Sequence, residues 1–143
     1  RSVLRQAGLA PGLGDEPTPA QEIERQILAL HVKELGIETT RRIVELFADT
    51  VEAGLAEAKQ AFRAGSAERF VRAMHRMKSS ALTLGLRQLA EIAARVEVQA
   101  SEGLDERLEA LLGEFERALP KARAALARAW ADEQDKLKSA CDR

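Results

Sequence analysis

The sequence predicts an all-α fold, an antiparallel up-down four-helix bundle with an additional N-terminal helix. First, the 143 residues are 45% hydrophobic and 31% charged, which is typical of one folded domain. Second, the abundant residues Ala, Leu, Glu and Arg are strong helix formers, and no run of β-branched residues alternates as a half-buried strand would. Third, apolar residues recur at three- and four-residue steps, and the connections between these stretches are short. Short connections make successive helices antiparallel neighbours.

The first 19 residues are expected to be a tail and linker, and the bundle is expected to occupy residues 20–140. Residues 8–19 read GLAPGLGDEPTP and hold three of the nine Gly and three of the four Pro, a composition that marks a linker. Because the chain begins with Arg1 and not with Met, we expect it to be a piece of a longer protein.

Two helices are predicted before Gly65. The first should start at Thr18–Pro19, because Thr can cap a helix and Pro is tolerated at the first helical position. It should end at Gly36, and its apolar face should be Ile23, Ile27 and Leu30. The second should run from about Glu38 to Ala64, with one inward face made of Val44, Phe47, Val51, Leu55, Ala58 and Phe62.

Three further segments complete the predicted bundle. The third helix, about 67–84 with Ser66 as its cap, has 4-3-4-3 spacing along a bundle seam of Phe70, Met74, Met77, Ala81 and Leu84. The fourth should span about 86–100. The fifth should begin near Asp105, which is a good cap, and Pro120 should kink or break it because proline removes one backbone donor. A further helical run should continue to about Ser139.

His75 is the candidate reactive residue of the third helix. It follows Met74, and one helical residue corresponds to about 100° of rotation, so His75 should lie on the flank of the apolar stripe. Arg72, Arg76 and Lys78 surround it in sequence. An exposed imidazole that can be neutral among cations suits a nucleophile that receives and holds a phosphoryl group. On spacing alone, an ordinary surface histidine remains the alternative.

The stretch from His75 to Gly85, HRMKSSALTLG, resembles the signature of histidine-containing phosphotransfer (HPt) domains, roughly His-x-Leu-Lys-Gly-Ser-Ala-x-x-Leu-Gly. Met77 stands where the family has Leu, and Ser79 stands where it has Gly. The run LRQLAEIAARVE is similar to the next helix of the family, with Val96-Glu97 in place of a Leu-Glu pair. The resemblance covers residues 21–119, and the signature positions that match are His75, Lys78, Ser80, Ala81, Leu84 and Gly85.

The resemblance implies that His75 accepts a phosphoryl group from a receiver-domain aspartate and passes it to a response-regulator receiver aspartate. It implies that Lys78 steadies the phosphoryl oxygens. Ser79 would then be a tolerated small residue, or else the mark of a degenerate site. The chain would be a covalent carrier and not an autonomous kinase, with no cofactor of its own and with Mg²⁺ in the partner receiver. We expect a cytoplasmic module at the C-terminus of a hybrid sensor histidine kinase, either a soluble kinase or the cytoplasmic part of a membrane-bound one, with a free-standing carrier as the alternative.

Spacing also places Glu97 near His75. Gly85 lies ten residues after His75, so residues 95–97 of the antiparallel fourth helix should return to the level of the imidazole. Glu97 should either orient that ring or be a solvated surface residue. A receiver should dock on a patch of Val71 and Leu82, with Arg72 and Arg76 beside it.

Several other classes of function fit poorly. The net charge of −1 and the pI of about 6.2 argue against a nucleic-acid binder, and no run approaches the roughly 20 apolar residues of a membrane span. His31 and Glu34 could contact a metal, but no Glu-x-x-His sequence supports a bundle metal site. A histidine-kinase dimerisation helix pair usually has an acidic residue after its histidine, whereas Arg76 stands here. The remaining alternative is a non-phosphorylated interaction module with a degenerate site.

Overall fold

The computed structural model describes residues 23–141, which form five helices joined by short turns. They are α1 (Arg25–Leu35), α2 (Ile37–Ala64), α3 (Ala67–Thr83), α4 (Arg87–Glu102) and α5 (Glu106–Cys141), and this part of the chain contains no strand. Helices α2 to α5 form the bundle, while α1 packs on α2 and α5. The predicted all-α class is confirmed, and the bounds of α2, α3 and α4 lie within two residues of those predicted.

Side-chain caps and glycines set the helix ends. The Ser66 hydroxyl accepts a hydrogen bond from the Arg69 amide at 3.3 Å, and the Asp105 carboxylate accepts one from the Leu108 amide at 3.1 Å. Both predicted caps are therefore confirmed. Between α3 and α4, Gly85 has a φ of 77°, a backbone conformation that favours glycine.

The core is built mainly from aliphatic side chains and methionines, and its largest fully buried residues are Phe70 and Phe115. The predicted seam of α3 is buried throughout: Phe70, Met74, Met77 and Ala81 are 0% exposed and Leu84 is 1% exposed. Helix α2 approaches this seam closely at Gly54, where an added Cβ atom would lie 2.6 Å from Cγ of Met77. The glycine thus lets α2 pack directly on the segment of α3 that follows His75.

Helix α1 differs from the prediction. Thr18 and Pro19 lie outside the described residues, as does the predicted tail and linker, and the helix begins only at Arg25. Before it, the Glu24 amide donates a hydrogen bond to the Gly85 carbonyl at 2.8 Å, so this segment is tied to the α3–α4 turn. Leu28 is 0% exposed and Leu30 is 48% exposed. The assignment of Leu30 to the buried face was wrong, because α1 turns a different side toward α2 and α5.

Pro120 does not break α5, which continues from Glu106 to Cys141. Proline removes one backbone hydrogen bond, but Leu119 and Ala122 beside it are buried at 8% and 2% exposure. Helices in proteins owe most of their stability to such packing, so the core contacts on both sides keep the helix continuous. The expected break was wrong for this reason.

Candidate functional site

His75 lies near the middle of α3, with its side chain 65% exposed. The residues that hold this helix in the bundle, Met74 and Met77, are 0% exposed. Because His75 is about 100° around the helix from Met74, burial of the seam leaves the imidazole at the surface. The expected exposure of the ring is confirmed.

Glu97 of α4 contacts both His75 and Lys78. Its Oε1 atom lies 3.1 Å from Nδ1 of His75, and its Oε2 atom accepts a hydrogen bond from the Lys78 ammonium at 2.8 Å. The Glu97 side chain is only 16% exposed. The predicted proximity of Glu97 is therefore confirmed, and the alternative of a solvated surface residue is wrong.

This contact fixes the tautomer of the imidazole. An ionised carboxylate can only accept hydrogen bonds, so Nδ1 of His75 must carry the proton that bonds to Glu97. In a neutral ring, Nε2 then has the free lone pair. The arrangement presents a nucleophilic nitrogen on an exposed ring whose other nitrogen is held by a carboxylate.

The family model of the Hpt domain matches residues 42–129, a stretch that includes His75, Lys78 and Glu97. The chain belongs to the Hpt domain family. Hpt domains carry out histidine phosphotransfer in phosphorelays, where they interact with receiver domains, and they are carriers and not autonomous kinases. Comparisons with curated proteins and with solved structures returned no match.

Most of the cations near His75 in this Hpt domain are already paired with carboxylates. Arg72 donates to Glu68 at 2.6 Å, and Lys78 is held by Glu97. The positive surroundings predicted for the imidazole are therefore partly neutralised. The pairing of Lys78 was missed because a lysine three residues from His75 can point either to a phosphoryl group or to a carboxylate on the neighbouring helix. The sequence did contain a signal for this pair. His75 and Lys78 are three residues apart on one side of α3, and Glu97 was expected at the same height on α4.

A second ion pair joins α3 to α2. Both carboxylate oxygens of Glu57 accept hydrogen bonds from the Arg69 guanidinium, at 3.0 and 3.1 Å. Hydrogen bonding to Arg69 holds the pKa of the Glu57 carboxyl below its ordinary value. The pair lies on the opposite flank of α3 from Glu97, so each side of the helix is bonded to a carboxylate of a neighbouring helix.

The residues predicted for docking lie along the same exposed part of α3. Val71 and Leu82 are four residues before and seven residues after His75, which places all three on one stripe. Leu82 is 51% exposed and Val71 is half-buried. Ser79, one turn after His75, is exposed, and its carbonyl accepts a hydrogen bond from the Thr83 hydroxyl at 2.9 Å. A partner could therefore approach the ring along this stripe.

The described residues contain neither a membrane-spanning helix nor a cluster of metal ligands. No helix of residues 23–141 combines the length and apolar character of a membrane span. In the same range, no group of three His, Cys, Asp or Glu side chains is arranged to hold a metal ion. His31, the other histidine, instead has its Nε2 atom 2.7 Å from the Thr83 carbonyl.

Proposed function

We propose that this Hpt domain accepts a phosphoryl group on Nε2 of His75 from a receiver-domain aspartate and passes it to a response-regulator receiver aspartate. The observation that carries the proposal is the bond between Nδ1 of His75 and Glu97. It leaves a lone pair on Nε2 of a ring that is 65% exposed. A phosphoryl carrier needs a presented nucleophile and a docking surface, because phosphoryl transfer depends mainly on positioning and charge.

In the proposed step, Nε2 attacks the phosphorus of the partner's aspartyl phosphate. The new P–N bond forms as the P–O bond to the aspartate breaks, and the carboxylate of that aspartate leaves. No proton has to move, because Nε2 is unprotonated at the start and Nδ1 keeps its proton. The ring gains positive charge, which the adjacent Glu97 carboxylate stabilises. Transfer to the next receiver reverses these changes.

Lys78 and Ser79 have supporting roles in this proposal. The Lys78 ammonium is 22% exposed, so it balances the Glu97 carboxylate and can still steady phosphoryl oxygens near the ring. Ser79 provides a small side chain one turn after His75, which leaves space for the partner. We expect Mg²⁺ to belong to the receiver and not to this chain.

The proposed docking surface is the exposed stripe of α3 around His75. Val71 and Leu82 supply its apolar part, and Arg72 and Arg76 supply positive charge along one side. Family membership and the linker-like composition of residues 8–19 support a module of a larger cytoplasmic signalling protein, and we propose a hybrid sensor histidine kinase.

The test is phosphoryl transfer from a radiolabelled receiver to wild type, His75→Gln and His31→Gln. The His31 variant is the matched control, since His31 is the other histidine of the chain. We expect acid-labile label on wild type and on His31→Gln, and none on His75→Gln, with the three circular dichroism spectra alike. Label on a folded His75→Gln would contradict the assignment. A wild type that binds receivers but never takes label would instead indicate an interaction module with a degenerate site.

A further inference from the structure

The cations of α3 differ in whether they have a carboxylate partner. Arg69 is bonded to Glu57, Arg72 to Glu68 and Lys78 to Glu97, at distances between 2.6 and 3.1 Å. Arg76 is the fourth of these basic residues. Among the described residues it has no ion pair, although it directly follows His75 and is exposed.

The sequence around Arg76 offers it no partner on its own helix. The positions three and four residues away are Arg72, Ala73, Ser79 and Ser80, and these are the positions that a helical side chain can reach. None is acidic, and Arg72 is a like charge at i,i+4, which destabilises a helix. The local sequence therefore leaves the charge of Arg76 uncompensated.

On α2, the carboxylate whose ionisation Arg76 affects is already engaged by another residue. Glu57 of α2 is close enough for the charge of Arg76 to affect its ionisation. Both of its oxygens, however, are occupied by the Arg69 guanidinium. Glu57 is therefore engaged by Arg69, and Arg76 has no ion pair among the described residues.

The two sides of His75 consequently present different chemistry to a partner. On the α4 side, the positive charge of Lys78 is matched by Glu97, and the exposed neighbour is the apolar Leu82. On the other side is an unpaired guanidinium, which binds carboxylates in a planar, two-bond geometry.

We propose that Arg76 binds a carboxylate on the docking face of the receiver and thereby sets which receivers exchange phosphoryl groups with His75. This inference rests on the proposed function. Arg76 is thus a specificity-determining residue. In the docked complex, an acidic edge of the receiver faces the α2 side of α3, and an apolar area of the receiver faces Leu82. Charge pairs at the edge of an interface act mainly on the association rate and are weakened by salt.

The experiment compares wild type, Arg76→Glu and the control Lys121→Glu. Lys121 of α5 is exposed and, like Arg76, follows an arginine by four residues, since Arg117 precedes it. Both substitutions change the charge by the same amount and place a glutamate four residues after an arginine. We therefore expect both variants to fold.

Two phosphoryl donors separate docking from chemistry. Phosphoramidate is a small donor that needs no docking surface, and transfer from it breaks its P–N bond and releases ammonia. A panel of phosphorylated receiver domains provides the second donor. We expect Arg76→Glu to lose much less of its transfer from phosphoramidate than from the receivers, because the small donor does not contact the docking surface. With receivers that label the wild type at low salt, we expect transfer to be roughly tenfold slower or more, and the difference should shrink as salt rises. Lys121→Glu should match the wild type with both donors.

Each other outcome has a distinct meaning. Wild-type transfer from every receiver to Arg76→Glu at low salt would overturn the role of Arg76 while leaving the proposed function intact. Equal losses with both donors would show that Arg76 acts on His75 itself and not on the partner, which also overturns the inference. Absence of label on wild-type His75 with either donor would contradict the proposed function instead.

Discussion

At the scale of single residues, Glu97 has the most demanding role because one carboxylate serves two donors. Its Oε1 atom holds the imidazole and its Oε2 atom holds Lys78. A side chain that is 16% exposed has little water to replace either bond. The orientation of His75 and the position of the lysine charge are therefore coupled through a residue on the neighbouring helix.

We expect Glu97→Gln to slow phosphoryl transfer about 10²-fold, in line with the usual effect of removing one group that stabilises developing charge. The glutamine oxygen can still accept from Nδ1, but it carries no charge to stabilise the phosphorylated ring. Rapid-quench transfer rates and the ¹⁵N shifts of the imidazole measure the two effects. Glu91→Gln, an exposed position on the same helix, is the control. A wild-type rate together with an unchanged tautomer would show that Glu97 is only structural.

Two substitutions of Ser79 should distinguish an effect on the stability of the fold from an effect on docking of the receiver. Ser79→Gly should keep transfer or raise it, but should lower the free energy of unfolding by about 0.5–1 kcal/mol because glycine is a poor helix former. Ser79→Leu should fold, since this position is exposed, and should slow transfer because the larger side chain obstructs the approach to Nε2. Thermal melts and receiver-to-domain transfer rates on both variants provide the measurement. If the leucine variant transfers as fast as wild type, the receiver docks elsewhere.

At the scale of helices, two interior glycines have different surroundings. Gly54 in α2 faces Met77, and an added Cβ would lie 2.6 Å from Cγ and 2.9 Å from the sulfur. Gly113 in α5 faces only the end of the Arg117 side chain, at 3.3 Å. The first contact is with the inner part of a side chain that is 0% exposed, and the second is with the flexible end of an exposed side chain.

The two alanine substitutions should therefore have opposite signs. Gly54→Ala gains about 1 kcal/mol of helix propensity but overpacks the core, which costs about 1–3 kcal/mol, so we expect net destabilisation. Gly113→Ala should stabilise the protein by up to about 1 kcal/mol. Chemical denaturation of both variants measures the difference. Equal stabilisation by both substitutions would show that α2 and α3 can move apart at Gly54 without a loss of stability.

The ion pair between Glu57 and Arg69 should make the stability of the fold depend on pH in the acidic range. Its hydrogen bond lowers the pKa of the Glu57 carboxyl in the folded protein, so the stabilisation is present above the unfolded pKa. It is lost as the pH falls through the lower, folded pKa. NMR titration of the Glu57 carboxyl should show a midpoint below the ordinary value of about 4.3, and Arg69→Gln should raise that midpoint. An unchanged midpoint in the variant would contradict this cause.

The sequence predicts the helices that are defined by local signals. The seam of α3, the cap at Ser66 and the turn at Gly85 depend on residues that are close in sequence, and all three are observed. The start of α1 and the continuity of α5 were not predictable in this way. They depend on contacts such as the Glu24–Gly85 hydrogen bond, which joins distant parts of the chain.

The same distinction applies to the site. The position of His75 and the level of Glu97 follow from helical geometry and one turn, so both could be predicted. The pairing of Lys78 with Glu97, and the absence of a partner for Arg76 among the described residues, depend on which of several side chains takes each carboxylate. The spacing of residues along the helices does not show which side chain binds each carboxylate.

At the scale of the whole molecule, the helical segments outside the matched residues 42–129 pack on each other. Arg25 of α1 forms an ion pair with Asp132 of α5, and Trp130 is half-buried against the core. Leu28 inserts into that core with 0% exposure. Helix α1 and the C-terminal part of α5 thus cover the end of the bundle that contains the α3–α4 turn.

Leu28→Ala should destabilise the fold by about 2–5 kcal/mol, the usual cost of truncating a buried leucine. Leu30→Ala in the same helix should cost about 0.5 kcal/mol or less, because Leu30 is 48% exposed. Both variants should transfer phosphoryl groups at the wild-type rate per folded molecule, since α1 packs on α2 and α5 and not beside His75. Denaturation and transfer measured on the same samples test this. A lower rate of phosphoryl transfer per folded molecule of Leu28→Ala would show that this end of the bundle influences the site.

The turn at Gly85 places both halves of the reactive pair in one helical hairpin. His75 and Glu97 are 22 positions apart, and the entropy cost of closing a loop grows only slowly with its length. Contacts between residues close in sequence also form quickly. Local opening of α1 or of the end of α5, as detected by amide hydrogen exchange, should therefore leave the pair assembled. A phosphorylated histidine would then keep its carboxylate neighbour throughout the lifetime of such partly open states.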